Sequence, residues 1–315
     1  MINNLEGIPF ESVINEVGEP YDNFRKRLFP IYKKVWMDIS FLWMLLIIPF
    51  ILYPFIPIVL HWPIAFLLMF YFGYLLAALH LFIHEAAHFN IHPDKKTNDV
   101  LAAYLICPFF GIDMKKYRKT HWAHHLHLGS PDDVEISYFN ALTFPFLVKT
   151  LTGAHVWKII QTRRNKNPDH EEGTINFRVL IRTIIVHAVF IITAWYTGRW
   201  SLVIGWVVGT GMIFPFLATL RQMLEHRDEL AGKDHQYYSS RRNRLSRIFG
   251  KDLLSRSFGA AGFNRHMIHH WDPHISYTRL DDIIHFLEKA PLTQHIIVES
   301  RTTYKKVFTR LLSAP

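Results

Sequence analysis

From Ile39 to Ile83 the chain carries no Asp, Glu, Lys or Arg, an uncharged run of 45 residues. A helix needs about 20 residues to cross a bilayer. The run is too long for one crossing and suits two, at about 39–59 and 63–83. Leu60-His61-Trp62-Pro63 offers the break, with a Trp suited to the membrane interface. Pro49, Pro54 and Pro57 should kink the first crossing, which a helix bundle tolerates. A second apolar pair follows at about 178–197 and 201–220, parted by Tyr196-Thr197-Gly198-Arg199-Trp200. Half of the residues are hydrophobic, and uncharged runs this long are rare in soluble folds. A soluble helical protein with an oily core is therefore the weaker reading.

The expected fold is an all-α membrane protein: four transmembrane helices in two hairpins, capped by helices on one side. The chain reads as one domain over 1–315. Within it, 1–38 is a polar N-terminal segment, 39–83 the first hairpin and 84–177 a long middle segment. The second hairpin spans 178–221, and 222–315 closes the chain. Val100 to Ile112 and Ser137 to Val148 are apolar but too short to cross, and read as interfacial or buried helices.

Two hairpins leave both termini and the middle segment on the same side. The turn at 60–63 has no Lys or Arg, and the turn at 196–200 has only Arg199. The large segments carry Arg25-Lys26-Arg27, Lys33-Lys34, Lys115-Lys116, Arg118-Lys119, Arg163-Arg164, Arg241-Arg242 and Arg244. Positive charge stays inside, so the large segments and both termini are expected to be cytoplasmic. The net charge of +9 suits an anionic membrane surface better than nucleic acid, given the oily runs. Residues 1–35 are polar and show no secretory signal pattern. A single cysteine, Cys107, leaves no internal disulfide, iron–sulfur cluster or thiolate zinc site to be built from this chain alone.

Histidine is the unusual residue here. His84-Glu85-Ala86-Ala87-His88 is an H-x-x-x-H just past the second apolar run. His121-Trp122-Ala123-His124-His125 and His266-Met267-Ile268-His269-His270 are both H-x-x-H-H. Glu225-His226 follows the fourth run. Residues three or four apart on a helix share a face, so each motif offers two or three imidazoles from one stripe. Imidazole suits iron, copper, zinc and nickel. Eight or nine ligands exceed what one metal can use, so two metals are implied. Chance alone could supply one such motif in a histidine-rich chain, but two of them plus an H-x-x-x-H, all on one side, is far less expected. Nitrogen-rich ligation with open positions suits iron that binds dioxygen; spacing alone leaves zinc and copper open.

The remaining histidines read more plainly. His61 and His187 lie away from the motifs, as packing or interface residues. His80 sits one turn before His84 but inside the span. His92, His127 and His274 are near the motifs, either supporting them or solvated. Glu85, Glu225 and Asp272 adjoin ligands and could orient imidazoles by hydrogen bonds.

With these motifs in this order against two apolar pairs, the chain resembles the membrane fatty acid desaturase superfamily. HEAAH at 84–88, HWAHH at 121–125, RQMLEH at 221–226 and HMIHH at 266–270 carry the resemblance, which covers about 39–286. It implies two Fe ions, a di-iron centre held by His84, His88, His121, His124, His125, His266, His269 and His270, with His226 as an extra ligand. Some members place an asparagine one turn before that extra histidine, holding a water near the metal; here the position is Gln222. The implied chemistry is O2-dependent removal of hydrogen from an unactivated C–H of a lipid acyl chain. Loss of a second hydrogen gives an alkene, while capture of oxygen gives an alcohol. A hydroxylase or ketolase acting on a lipid or carotenoid is thus the nearest alternative. The electrons must come from an external electron donor such as ferredoxin, rubredoxin or cytochrome b5. His92-Pro93-Asp94 does not match the His-Pro-Gly-Gly heme motif of a fused cytochrome b5-like domain. A metal transporter would instead place ligands near the bilayer midplane. Here the ligands flank the spans, and only His80 and His187 lie within them.

Overall fold

The computed structural model describes residues 5, 7–166, 176–234, 237–238 and 245–314, with only the helical backbone of 163–166. Arg241, Arg242 and Arg244, and the side chains of Arg163 and Arg164, lie outside the described residues. The protein is mostly helical, and four helices are long and apolar enough to cross a membrane: Tyr32–Phe55, Ile58–Ala87, Phe177–Tyr196 and Trp200–His226.

Three spans outrun their expected bounds, each for a local reason, while the third, Phe177–Tyr196, keeps to its expected 178–197 within one residue. The first begins at Tyr32, because Lys34 and Asp38 pair at 2.7 Å one turn apart and carry the helix out of the apolar zone. Pro49 stays inside this helix, whereas Pro54 and Pro57 end it in short 3-10 turns. The break therefore comes before the expected Leu60-His61-Trp62-Pro63. Pro63 falls in the first turn of the next helix, where a missing N–H costs little. The second helix runs on to Ala87 and takes His84 and Glu85 with it. The fourth runs on to His226 through a π-turn at Gly209–Ile213.

Burial divides the spans into two kinds. The second has sixteen buried residues in its helix His61–Ala87, against three in the first helix and two in the third, so it forms the centre of the bundle. The fourth span packs along it. Gly73, Gly205 and Gly209 permit that approach. A Cβ on Gly205 would lie 2.6 Å from Leu68 Cβ, and one on Gly73 would lie 2.5 Å from Ile213 Cβ. Small residues at such crossings allow backbones to close in where no hydrophobic drive separates helix from lipid. The first and third spans turn Phe41, Met44 and Ile47, and Ile184, Ile185 and Val189, outward. That apolar surface suits hydrocarbon, not water.

Smaller helices link and follow the spans. Lys95–Leu105 and Met114–His127 start on Asp94 and Asp113, whose carboxylates accept from Thr97 and from Lys115 and Lys116 backbone N–H groups. Val100 and Tyr104 face outward, while Cys107, Pro108 and Phe109 form a buried 3-10 turn. The second short apolar stretch divides between a 3-10 turn, Ile136–Phe139, and the helix Phe144–Leu151. One departure from an all-helical chain is a two-residue parallel pair, Ile248–Phe249 with Arg301–Thr302.

Asp272 also departs from expectation. Its carboxylate accepts from Tyr21 Oη at 2.9 Å and from Arg25 Nε at 2.5 Å. It fastens the N-terminal segment to the third histidine motif and does not orient an imidazole. Tyr21 joins Ile268, Trp271 and Leu287 in one apolar cluster.

Candidate metal centre

Four elements deliver the histidines. His84 and His88 leave the C-terminal end of the second span; His121, His124 and His125 lie on Met114–His127. His226 ends the fourth span, and His266, His269 and His270 lie on the short helix His266–Trp271. All nine converge. His84, His88, His121, His125 and His269 present ring nitrogens within 4.8 Å of one another, and His124, His226 and His270 form a second such group. His266 joins the second: its Nε2 lies 2.8 Å from that of His226 and 3.1 Å from that of His270. The two groups abut, with His125 and His270 ring centroids 4.6 Å apart.

The nitrogens face one another closely. Nε2 of His121 is 2.8 Å from His88 Nε2 and 3.0 Å from His125 Nε2, which is 3.1 Å from His269 Nε2. Burial, reinforced by neighbouring imidazoles, holds His88, His125, His266, His269 and His270 well below the usual imidazole range. These rings are neutral at physiological pH, the form that binds metal. Several ring nitrogens converging at 2.8 to 3.1 Å suit lone pairs turned toward a shared cation. Both ring nitrogens of His84 are buried without a hydrogen-bond partner among the described residues. The donor set thus fits two metal ions, one per group, and its all-nitrogen character suits iron, copper or zinc. Cys107 belongs to neither group and packs in the apolar core of the spans.

Supporting contacts differ between the groups. His124 Nδ1 donates to Asp133 at 2.8 Å, and His226 Nδ1 donates to the Leu245 carbonyl at 2.5 Å. Each contact turns Nε2 inward and fixes the tautomer. Asp133 is itself held by Tyr138 Oη at 2.5 Å and by the Glu135 backbone N–H at 2.8 Å. In the five-histidine group, His84 Nδ1 is 3.6 Å from Glu85, and His121 Nδ1 is 3.8 Å from Glu135. Glu85 accepts from the Tyr277 backbone N–H at 3.2 Å. Glu225 accepts from Tyr304 Oη at 2.9 Å and so anchors the C-terminal helix instead of the adjoining His226. Gln222 donates to Glu135.

Asp133, Glu135 and Tyr138 were not expected from sequence. Asp133 lies nine residues after His124, and that acidic position beside a histidine motif was the available signal. The Leu245 carbonyl had none.

Two arginines, Arg118 half-buried and Arg247 buried, close the helices that carry ligands. Arg118 donates to the Ala86 and Ala87 carbonyls at 3.1 and 2.9 Å and pairs with Asp99 at 2.5 Å. Arg247 donates to the Leu224, Glu225 and Arg227 carbonyls at 3.1, 3.0 and 2.5 Å. Terminal carbonyls lack intrahelical partners, and a cation there also opposes the helix dipole.

His80 is absent from both groups and packs against Phe110 and Phe214. His61 stacks on Tyr53, and His187 accepts from Trp206 Nε1 at 3.1 Å. His127 and His274 are exposed, and His92 is half-buried.

A cavity of about 780 Å³ reaches the centre. His84, His121, His124, His226 and His266 stand at its head; Ile159, Ile160, Val179, Leu180, Phe214 and Ala218 line its apolar flank. Gln222 and Glu135 lie on its wall.

A helical membrane protein with nine converging imidazoles, five of them at the head of a largely apolar cavity, is the class so defined. The chain belongs to the fatty acid desaturase family, whose pattern matches residues 59–296. No curated protein matches the chain.

Proposed function

We propose that the chain is a di-iron, O2-dependent membrane desaturase that introduces a double bond into a lipid acyl chain. The supporting observation is the junction of the two histidine groups with a largely apolar cavity of about 780 Å³. His84, His88, His121, His125 and His269 would hold one iron; His124, His226, His266 and His270 would hold the other. Bound iron supplies O2 activation and removal of hydrogen from an unactivated C–H. The protein's residues position the chain against that centre and exclude water from it. Ile159, Ile160, Val179, Leu180 and Phe214 provide apolar contact along the chain. Asp133 and the Leu245 carbonyl hold their imidazoles in the binding tautomer. Gln222 and Glu135, bonded to each other, form a polar spot beside the ligands where a water can be held.

In this reading the spans pair into two hairpins, and the basic segments support a cytoplasmic side for both termini and the histidine motifs. Electrons arrive from a separate redox protein of the ferredoxin, rubredoxin or cytochrome b5 type. Expression in a lipid-producing host tests the reading through product mass. A loss of two hydrogens from an acyl chain, dependent on His124, supports it; a gain of one oxygen replaces it with hydroxylation; an unchanged lipid profile contradicts both.

A further inference from the structure

Among the described residues, the cavity meets the centre on one side. Its walls include His84, His121, His124, His226 and His266, but not His88, His125, His269 or His270. The side it leaves is covered by Trp122. The Trp122 ring lies 5.0 Å from the His88 ring and 5.6 Å from the His125 ring, centroid to centroid. Outward it meets His274 at 5.3 Å, which is exposed. Trp122 is itself half-buried. One indole thus spans from two candidate ligands to the surface.

The helix that carries it shows a pattern on the same face. Lys115, Lys119, Trp122 and Leu126 follow one another at spacings of four, three and four along Met114–His127, which sets them in one stripe. Lys115, Lys119 and Leu126 are exposed, Leu126 by 66%. Lys95, on the adjoining helix, sits over the Phe89 ring at 4.9 Å, and Arg118 lies over the same ring at 3.9 Å. The result is an apolar and aromatic contact point with cations along one flank, on a chain of net charge +9.

We propose that the Lys115–Lys119–Trp122–Leu126 stripe docks an acidic one-electron donor protein and that Trp122 is the point where its electron enters. This rests on the di-iron reading of the centre. The donor's reduced cofactor loses one electron, and the metal pair gains it through the Trp122 contact with His88 and His125. Two such encounters supply the electrons for one turnover. The geometry favours this entry because tunnelling falls off steeply with distance, and the substrate cavity lies on the other side. Lysines flanking the contact steer an acidic partner and set its encounter rate.

The test uses iron-loaded full-length protein in lipid nanodiscs and a reduced plant-type [2Fe–2S] ferredoxin as the probe, with reduced methyl viologen as a small reductant that needs no docking. Reduction of the centre is followed by stopped-flow absorbance. For K115E/K119E, the ferredoxin encounter rate is expected to fall at least about tenfold at low salt, with the deficit shrinking as salt rises. For W122L, the rate at saturating ferredoxin is expected to fall severalfold, with iron content and viologen reduction unchanged, and W122F to recover most of the loss. Ferredoxin reducing both variants as fast as wild type overturns the proposal alone, as it would if this face lay against lipid. Loss of iron in W122F as well as W122L also overturns it, since Trp122 would then only hold the ligands. Wild-type protein that takes up no iron overturns the reading of the centre, and this proposal with it.

Discussion

The two histidine groups are built differently. The five-histidine group relies on helical spacing and mutual packing: His84 Nδ1 is 3.6 Å from Glu85 and His121 Nδ1 is 3.8 Å from Glu135. In the other group, two rings are tied by short bonds, His124 to Asp133 at 2.8 Å and His226 to the Leu245 carbonyl at 2.5 Å. Crowding alone can aim a ring that sits among four others. A ring with fewer neighbours needs a bond behind it. The contrast shows that a ligand can be fixed by the company it keeps or by its own anchor, and the two should respond differently to mutation.

The largest effect is expected from removing a ligand. His124→Ala should abolish turnover in a lipid-product assay while leaving membrane insertion intact; normal turnover would refute the ligand role. Next is Asp133→Asn, which keeps the shape but weakens the acceptor behind His124. Partners of metal-bound histidines typically cost 10–100-fold in affinity or activity when changed. Metal titration should show that loss at one of two sites. Glu85→Gln, behind the crowded group, should cost less; an equal or larger loss would erase the contrast drawn above.

Arg247→Ala should act on stability more than on chemistry. It strands three carbonyls at the end of the fourth span, at a cost of about 1–3 kcal/mol for each buried group left unsatisfied. A lower melting temperature, with metal content kept near two per chain in the surviving protein, is the expected readout. Unchanged melting would remove the capping role.

The smallest effect concerns His155, away from the centre. Its Nε2 is 3.1 Å from Ser137 Oγ, and burial lowers it to about 4. An unfolded histidine titrates near 6.5. As pH falls from that value toward about 4, the unfolded chain takes up a proton that the folded chain refuses, so stability falls. His155→Gln should flatten melting temperature against pH in that window; an unaltered slope would assign the pH dependence to other groups.

Much of the centre was legible because ligand spacing on helices is a sequence property. Eight of the nine histidines named from H-x-x-x-H, H-x-x-H-H and the lone His226 fall in the two groups, and His266 joins them through His226 and His270. Their division into groups of unequal make-up was not legible, since it depends on how four elements cross. The C-terminal ends of the second and fourth spans were misjudged for one physical reason. Hydropathy stops at a polar residue, yet His84, Glu85, Glu225 and His226 are buried inside the centre and need no water, so the helices continue through them. Asp272 was adjacent to a motif in sequence but is claimed by Arg25 and Tyr21, which lie 247 and 251 residues away along the chain. Caps such as Arg118 and Arg247 reach backbone carbonyls, and no residue pattern marks a carbonyl as needing one.

Iron content per chain tests the central claim most directly. Protein purified from iron-supplemented cells, quantified by mass spectrometry of metal and by amino-acid analysis, should hold two iron atoms per chain. H124A should reduce that number, and X-ray absorption should show mainly imidazole nitrogen around the metal. One iron per chain, or none, or a wild-type metal content untouched by removing box histidines, would contradict it.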